Sequence, residues 1–328
     1  MPELHFKGKE FVYNHHLSVP YRPLVIHGDK SVGATHDLNG NLIIHGDNLH
    51  ALKALLPLYA GKVDCVFIDP PYNTGNEGWC YNDNVNSPML KEWLASNPVG
   101  IEDGLRHDKW LAMMYPRIKL LHELLSDAGS FWMTLDDNEI HRARAMLDEI
   151  FGDDAFAACI VWQKKYAVAN DQQGIAPMHD YLLVYQKTEW QRNLLERTKA
   201  NDNQYRHEDA KGIFRVGDYT CNKNSEERDK LYYPITNPNT GEEIWPNKSA
   251  VWRYSKTRHA QNEQNGFVYW GKDGKAKVPA YKRYRHLLKN GGDTVPGTWW
   301  SHGFAGHTDE ARKEFRDVFP LKKHLPTL

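Results

Sequence analysis

Apolar positions in the first half of the chain follow two alternating spacings. Short apolar runs predict strands, and apolar residues three or four positions apart predict helices. The predicted strands cover residues 42–44, 63–68, 130–135, 158–163 and 181–185, and the predicted helices cover residues 49–59, 107–126 and 139–151. Strands that alternate with helices are typical of an α/β fold, so this region predicts a doubly wound, mainly parallel sheet.

Single residues refine these elements. Pro116 interrupts the longest predicted helix and should kink it. Asp136, Asp137 and Asn138 precede the helix at 139–151 and are suited to cap its N-terminus. Residues 73–105 are rich in Asn, Gly, Pro and acidic residues and predict a long loop. A loop of that length in a compact domain is usually functional or mobile.

The alternating pattern ends near residue 187. Beyond it, turn signals cluster at 237–241 and 272–274. We therefore divide the chain into four parts. They are an N-terminal extension at 1–40, an α/β domain at 41–186, an irregular α+β insert at 187–290 and a segment at 291–328 that begins a return to the α/β domain.

Charge is distributed unevenly although the formal net charge of the 328-residue chain is only −1. Residues 187–290 contain 21 Lys and Arg against 13 Asp and Glu, whereas the remainder contains 20 against 29. The same segment holds 14 aromatic residues, including Trp190, Trp245, Trp252, Trp270, Tyr232 and Tyr233. Basic charge interleaved with aromatic rings indicates a candidate nucleic-acid surface. The alternative is a solvated domain with an aromatic core.

Composition excludes several classes of protein. No apolar run reaches the roughly 18 residues that a membrane span needs, and the N-terminus has no apolar core typical of a signal peptide. The four cysteines are far apart, so neither a disulfide framework nor a zinc finger is expected. The histidines show no metal-ligand spacing, and we expect no metal site. These features favour a cytoplasmic protein without a membrane partner.

Asp69-Pro70-Pro71-Tyr72 follows the most apolar predicted strand. The two prolines fix their own φ angles and lack N–H donors, so the Pro70 carbonyl and the Asp69 carboxylate form a rigid pair of acceptors. Tyr72 adds a flat aromatic face. This arrangement suits a flat ligand that carries an NH₂ group. The alternative is a plain turn after a strand, with Tyr72 in the core.

This loop and its surroundings resemble the β group of amino-methyltransferases, which methylate the N6 amine of adenine in DNA. The likeness is greatest to the modification subunits of type III restriction systems. It covers residues 41–186 most strongly and continues more loosely to Ala311. The matching segments are 41–59, 67–76, 81–83, 107–125, 129–139, 160–162, 179–181, 231–235 and 304–308.

The resemblance implies a role for individual residues. Asp69 and the Pro70 carbonyl would accept hydrogen bonds from the adenine amine, Pro71 would keep the loop rigid, and Tyr72 would stack on the base. Asp47 and Asn48, together with Asp69, would contact the cofactor S-adenosyl-L-methionine. For Asp47 the residue pattern leaves an alternative, because it is also a good N-cap for the helix that begins at Asn48.

The resemblance also implies partners. The substrate would be double-stranded DNA with the adenine flipped out of the duplex. The basic insert at 187–290 falls where this family has its target-recognition domain. A homodimer, a restriction subunit and a polypeptide that complements the C-terminal part are further candidate partners.

One feature of the family does not appear in this sequence. The family has a Pro-Lys-Pro segment followed by an apolar strand that ends in Phe-x-Gly-x-Gly. Phe304-Ala305-Gly306 lacks the second glycine and follows no apolar strand. We therefore expect an incomplete Rossmann-like methyltransferase sheet, because of truncation, a second polypeptide or a pocket built differently. The alternatives to DNA adenine methylation are a catalytically silent DNA-binding module and methylation of an amine in RNA or of a protein glutamine.

Overall fold

The computed structural model describes residues 3–32, 38, 40–75, 104–168 and 174–319. Contacts divide the chain into two units, one formed by Met1–Arg192 with Gly297–Leu328 and the other by Asn193–Pro296. The helices of the first unit are α1 (Lys9–Val12), α2 (His15–Ser18), α3 (Asn48–Tyr59), α4 (Arg106–Leu124), α5 (Ile140–Phe151), α8 (His302–Ala305) and α9 (Thr308–Val318). Its strands are β1 (Val63–Ile68), β2 (Leu125–Leu135), β3 (Phe156–Gln163), β4 (His179–Gln186) and β11 (Trp299–Trp300).

The sheet of the first unit is mixed rather than mainly parallel. Its strand order is β1-β2-β4-β3-β11. The β1–β2 and β3–β11 pairs are parallel, whereas β4 runs antiparallel to both of its neighbours. The predicted α/β class is confirmed, and the expected parallel pairing is wrong for β4 alone among the described strands of this sheet. The apolar pattern shows that a strand exists and does not encode which neighbour it meets.

Helix α4 contributes more residues to the main buried cluster beneath this sheet than any other described element. Every apolar position that predicted it is buried, from Trp110 through Ile118 to Leu124. Pro116 lies inside the helix without ending it. The helix packs in the same cluster as Phe131 and Tyr185 of the central strands. The carboxyl ends of β1 and β2 are thereby held against a rigid support.

Two local predictions are wrong. Residues 42–44 form no strand, and Ile43 is fully exposed, because no described strand lies beside them to pair their backbone groups. The predicted side-chain cap of α5 is also not formed. The Asp136 carboxylate instead accepts the backbone N–H of Asn138 at 2.9 Å, which is the hydrogen bond of an Asx turn.

Strand β1 lies at one edge of the described sheet. It pairs with β2 and with no other described strand. Phe67 on this strand is 60% exposed, and Cys65 is exposed as well. An apolar strand of this kind is usually covered on its open edge or faces.

The segment after residue 296 returns to the first unit. Strand β11 adds to the edge of β3, and the indole N–H of Trp162 donates to the Gly306 carbonyl at 3.1 Å. Phe304 lies on the short helix α8 and is exposed. The segment therefore docks on β3 through strand pairing and through the Trp162 side chain.

The second unit contains a four-stranded antiparallel sheet and a two-stranded hairpin. The sheet has the order β5-β6-β10-β9. Its elements are β5 (His207–Asp209), β6 (Gly212–Asp218), β7 (Ile235–Thr236), β8 (Glu243–Ile244), β9 (Val268–Tyr269), β10 (Ala280–Tyr284), α6 (Lys199–Asp202) and α7 (Lys256–Gln264). This unit begins at Asn193, whereas the sequence analysis placed the start of the insert at residue 187.

The aromatic residues of this unit divide between core and surface. Trp252, Tyr233 and Trp270 are buried in one cluster with Tyr219. Trp245 is 51% exposed. The aromatic core that the sequence left open as an alternative is therefore present, and these four buried rings do not form a surface for bases.

Candidate active site

The Asp69–Tyr72 loop follows β1 directly, at the carboxyl edge of the parallel β1–β2 pair. Ligands of open α/β sheets bind at this edge. The register aligns Ile68 with Met133, which brings the next residue of β2, Thr134, beside Asp69. The Thr134 hydroxyl donates to the Asp69 carboxylate, and the Asp69 side chain stays exposed. Asp69 is thus both held in place and accessible.

Helix α4 holds the next part of the loop. The indole N–H of the fully buried Trp110 donates to the Pro71 carbonyl at 2.7 Å. No described residue donates a hydrogen bond to the Pro70 carbonyl. The two neighbouring carbonyl groups therefore differ in their hydrogen bonds. The Pro71 carbonyl is bonded to the protein, whereas the Pro70 carbonyl is left to accept a hydrogen bond from a ligand.

A buried polar cluster closes the loop at Asn73. This residue has a left-handed φ of 61° and no exposed surface. Its side-chain amide donates to the Arg106 carbonyl at 3.2 Å and to the Glu139 carboxylate. Nδ1 of His107 lies against the same Glu139 oxygen. These contacts join the loop to the starts of α4 and α5.

Glu139 is the least solvated acid of this region. Its side chain has no exposed surface, and burial raises the pKa of the carboxyl group, although hydrogen bonds from Asn73 and His107 act in the opposite direction. Glu139 lies within a segment that resembles the family, but its sequence position alone predicts no role for it. An acidic residue at the start of a helix is common, and its hydrogen bond with Asn73 depends on the tertiary fold.

Tyr72 is half-buried, and its ring packs against the main core cluster. Burial raises the pKa of its hydroxyl above the usual range, so the group is neutral at physiological pH. The structure thus places part of the ring in the core, as the alternative from sequence allowed. The base-stacking role of Tyr72 stays a prediction.

The start of β4 brings further polar groups to the same edge, because β4 runs antiparallel to β2. Nζ of Lys164 lies 2.6 Å from the buried Asp180 carboxylate, and burial raises the pKa of that carboxyl group. The Tyr181 hydroxyl donates to Asp137 at 2.9 Å. The carboxyl edge therefore combines several carboxylates with one lysine.

The predicted cofactor residues lie at the start of α3. Oδ1 of Asp47 accepts the N–H groups of Leu49 at 2.9 Å and His50 at 3.2 Å, so this residue is the N-cap. Oδ1 of Asn48 accepts from Nε of Arg117 at 2.7 Å. No described hydrogen bond or ion pair joins Asp47 or Asn48 to Asp69. Segment 81–83 of the predicted site, with Asn76, lies outside the described residues.

Comparison with known proteins identifies a family that matches most of this chain. A family model described as DNA methylase matches residues 63–323. The chain belongs to the DNA methylase family. None of the helices that the structure describes has the length and apolar character needed to cross a membrane.

Relatives of this methylase come from restriction-modification systems. It is 29% identical over 331 residues to the type III restriction-modification enzyme StyLTI Mod subunit of Salmonella typhimurium, covering 97% of this chain and 49% of the relative. It is 28% identical over 305 residues to the type II methyltransferase M.KpnI of Klebsiella pneumoniae, covering 87% and 68%. The solved M1.HpyAVI–SAM complex is 16% identical with a TM-score of 0.28, covering 47% and 58%. The chain spans about half the length of the Mod subunit.

Proposed function

We propose that this methylase transfers a methyl group from S-adenosyl-L-methionine to the N6 amine of adenine in DNA, within a restriction-modification system. One observation carries the proposal. Asp69 is exposed while Thr134 holds it, and the Pro70 carbonyl beside it has no described donor. Membership of the DNA methylase family and the type III Mod relative support adenine in DNA as the substrate.

Two fixed acceptors suit an amine with two N–H groups. The lone pair of the adenine amine is normally delocalised into the ring. Hydrogen bonds from both N–H groups to Asp69 and the Pro70 carbonyl would draw the nitrogen toward tetrahedral geometry and localise that lone pair. The resulting rate gain comes from orientation and from stabilisation that increases toward the transition state.

The residues at the start of α3 fit one end of the cofactor. Asp47 uses Oδ1 for both capping bonds, and its Oδ2 accepts nothing from a described residue. An exposed carboxylate oxygen suits the ammonium group of S-adenosyl-L-methionine. Arg117 orients Asn48 and leaves the amide N–H groups of Asn48 as donors. The bound cofactor would supply the methyl group.

Partners follow from the same proposal. Double-stranded DNA would present the adenine flipped out of the helix, because the amine is inaccessible in a stacked pair. The unit Asn193–Pro296 would bind the duplex as the target-recognition domain. The Mod relative is named as a subunit, which supports a restriction subunit as a partner of this chain. A homodimer remains part of the proposal.

The test measures transfer of tritium from labelled S-adenosyl-L-methionine to duplex DNA, with digestion to identify the base. Asp69→Ala should abolish transfer, since the carboxylate is one of the two acceptors. Asp154→Ala, at an exposed aspartate in the same unit, is the matched control and should leave transfer unchanged. Retained activity in Asp69→Ala would contradict the assignment, as would label in RNA but not in DNA.

A catalytically silent DNA-binding module is the second candidate. The unpaired edge of β1 and the exposed Phe67 favour it, because the strand that leads into the proposed site has no described partner on one side. Calorimetry separates the two functions. DNA binding without any heat from S-adenosyl-L-methionine would select the silent module.

A further inference from the structure

Two arginines lie directly opposite each other in the sheet of the second unit. The antiparallel register of β6 and β10 pairs Arg215 with Arg283. Residues opposite each other in such a ladder point to the same face with their Cβ atoms close together. Two like charges are therefore placed side by side, an arrangement that costs stability unless something compensates it.

No described carboxylate compensates this pair. Neither guanidinium forms an ion pair with a described residue, and the Nε atoms of Arg215 and Arg283 are both buried without a hydrogen-bond partner. Other cations of the same sheet region are partnered. Nζ of Lys282 lies 2.7 Å from Asp209, and a guanidinium nitrogen of Arg285 lies 2.7 Å from Asp202. Unlike these two cations, Arg215 and Arg283 have no described acidic partner.

Gly217 lets Arg283 lie flat against β6. A Cβ atom at residue 217 would come within 2.7 Å of Nε of Arg283 and 3.3 Å of its Cδ. Tyr281 shares this face, and its ring contacts those of Tyr254 and Phe267. The strand backbone and its aromatic neighbours therefore restrict where Arg283 can point.

We propose that Arg215 and Arg283 together bind phosphate oxygens of the DNA backbone. An anion placed between two guanidinium groups attracts both and offsets their mutual repulsion, and the planar fork of arginine matches phosphate geometry. A neutral base edge would leave the repulsion in place, so phosphate is favoured over guanine. This inference rests on the proposed DNA-binding function, and it assigns part of the DNA contact to the sheet face that carries Arg215 and Arg283.

The experiment measures binding of the full chain to two duplexes of unrelated sequence, by fluorescence anisotropy at several salt concentrations. Arg215→Gln and Arg283→Gln should each weaken binding about tenfold or more, the usual cost of a charge-assisted hydrogen bond. Each should also lower the slope of log K against log salt by about 0.9 for every phosphate that the variant no longer neutralises. Both duplexes should be affected equally, because phosphates carry no sequence.

Two further variants make the test specific. Arg285→Gln removes an arginine that already pairs with the carboxylate of Asp202, which it shares with Arg197, and it should stay within about twofold of the wild type. Gly217→Ala keeps every charge and displaces Arg283, so it should weaken binding nearly as much as Arg283→Gln.

The outcomes separate this inference from the proposed function. Unchanged affinity and salt slope in both arginine variants, while the wild type binds DNA, would overturn the phosphate site alone. Loss on one duplex only would indicate base contacts and would also overturn it. A wild type that binds neither duplex at any salt concentration would contradict the DNA-binding function as well.

Discussion

The Asp69–Asn73 loop and the Arg215–Arg283 pair differ in what completes their hydrogen bonds. In the loop, side chains from elsewhere in the fold complete the hydrogen bonds. Thr134 donates to the Asp69 carboxylate, Trp110 donates to the Pro71 carbonyl, and Glu139 accepts from the Asn73 side-chain amide. In the arginine pair, the Nε donors find no described acceptor. Each region is polar, but only the loop is held by the protein itself.

This difference separates two ways of building a site. A group that must orient a reacting atom gains from being fixed before the substrate arrives, since reorganisation then costs little during the reaction. Cationic side chains that bind the phosphate backbone of DNA can repel each other in the free protein, because the bound DNA then supplies the opposite charge. Substitutions should therefore destabilise the loop, whereas removing one of the two paired arginines should not destabilise its sheet.

Glu139→Ala should have the largest effect on stability. It leaves the buried Asn73 amide and His107 without their shared acceptor, which costs roughly 2–4 kcal/mol of unfolding free energy. It also removes the hydrogen bond that holds the left-handed conformation of Asn73, so methyl transfer should fall. Urea unfolding and tritium transfer measure the two effects.

Glu139→Gln and Glu314→Ala are the controls for this prediction. The glutamine keeps an acceptor oxygen and should recover part of the stability. Glu314 is exposed on α9, and its removal should change the unfolding free energy by no more than about 0.5 kcal/mol. If Glu139→Ala unfolded at the wild-type urea concentration, the cluster would not be what holds the loop.

The sequence located this loop but not the residues that hold it. The apolar run at 63–68 and the helical spacing from Trp110 to Leu124 are local signals, and both elements formed at nearly the predicted bounds. The bond between Asn73 and Glu139 joins residues 66 positions apart, and no spacing rule reports such a contact. The antiparallel placement of β4 is equally non-local, as is the register that sets Arg215 against Arg283.

Local signals also misled where tertiary partners were missing. Leu42-Ile43-Ile44 has the composition of a strand, yet no described strand lies beside it. Asp47 shows the opposite case, because capping needs only the next three residues, and the predicted N-cap formed. The predicted cap of α5 was equally local and did not form, so a short range of interaction did not by itself make a prediction correct.

Thr134→Val should have a moderate effect that is confined to catalysis. The substitution keeps the shape of the side chain and removes the hydroxyl that donates to Asp69. We expect kcat to fall about tenfold with a smaller change in KM, since one hydrogen bond of about 1.4 kcal/mol positions the carboxylate. Unfolding free energy should change by less than about 1 kcal/mol.

Thr134→Ser tests whether the hydroxyl itself is responsible. Serine keeps the donor and should restore most of the lost kcat, which a purely structural role of the methyl group would not allow. Equal losses in the valine and serine variants would show that Thr134 acts through packing and not through Asp69.

Asp209→Asn should give the smallest effect and a distinct dependence on pH. Although partial burial opposes it, hydrogen bonds from Lys282 and Tyr284 lower the pKa of Asp209 to about 2. A lowered pKa in the folded state stabilises the protein above the ordinary value near 3.9, and this contribution is lost as the pH falls toward 2. The wild type should therefore exceed the variant by up to about 1 kcal/mol at pH 6, with the difference shrinking between pH 4 and pH 2. Asp218→Asn, at an exposed aspartate on β6 without a described ion pair, is the matched control and should change the unfolding free energy by no more than about 0.5 kcal/mol. A difference that stayed constant down to pH 2 would mean that the ionised carboxylate of Asp209 does not stabilise this sheet, and the contrast between the partnered Lys282 and the unpartnered arginines would lose its energetic basis.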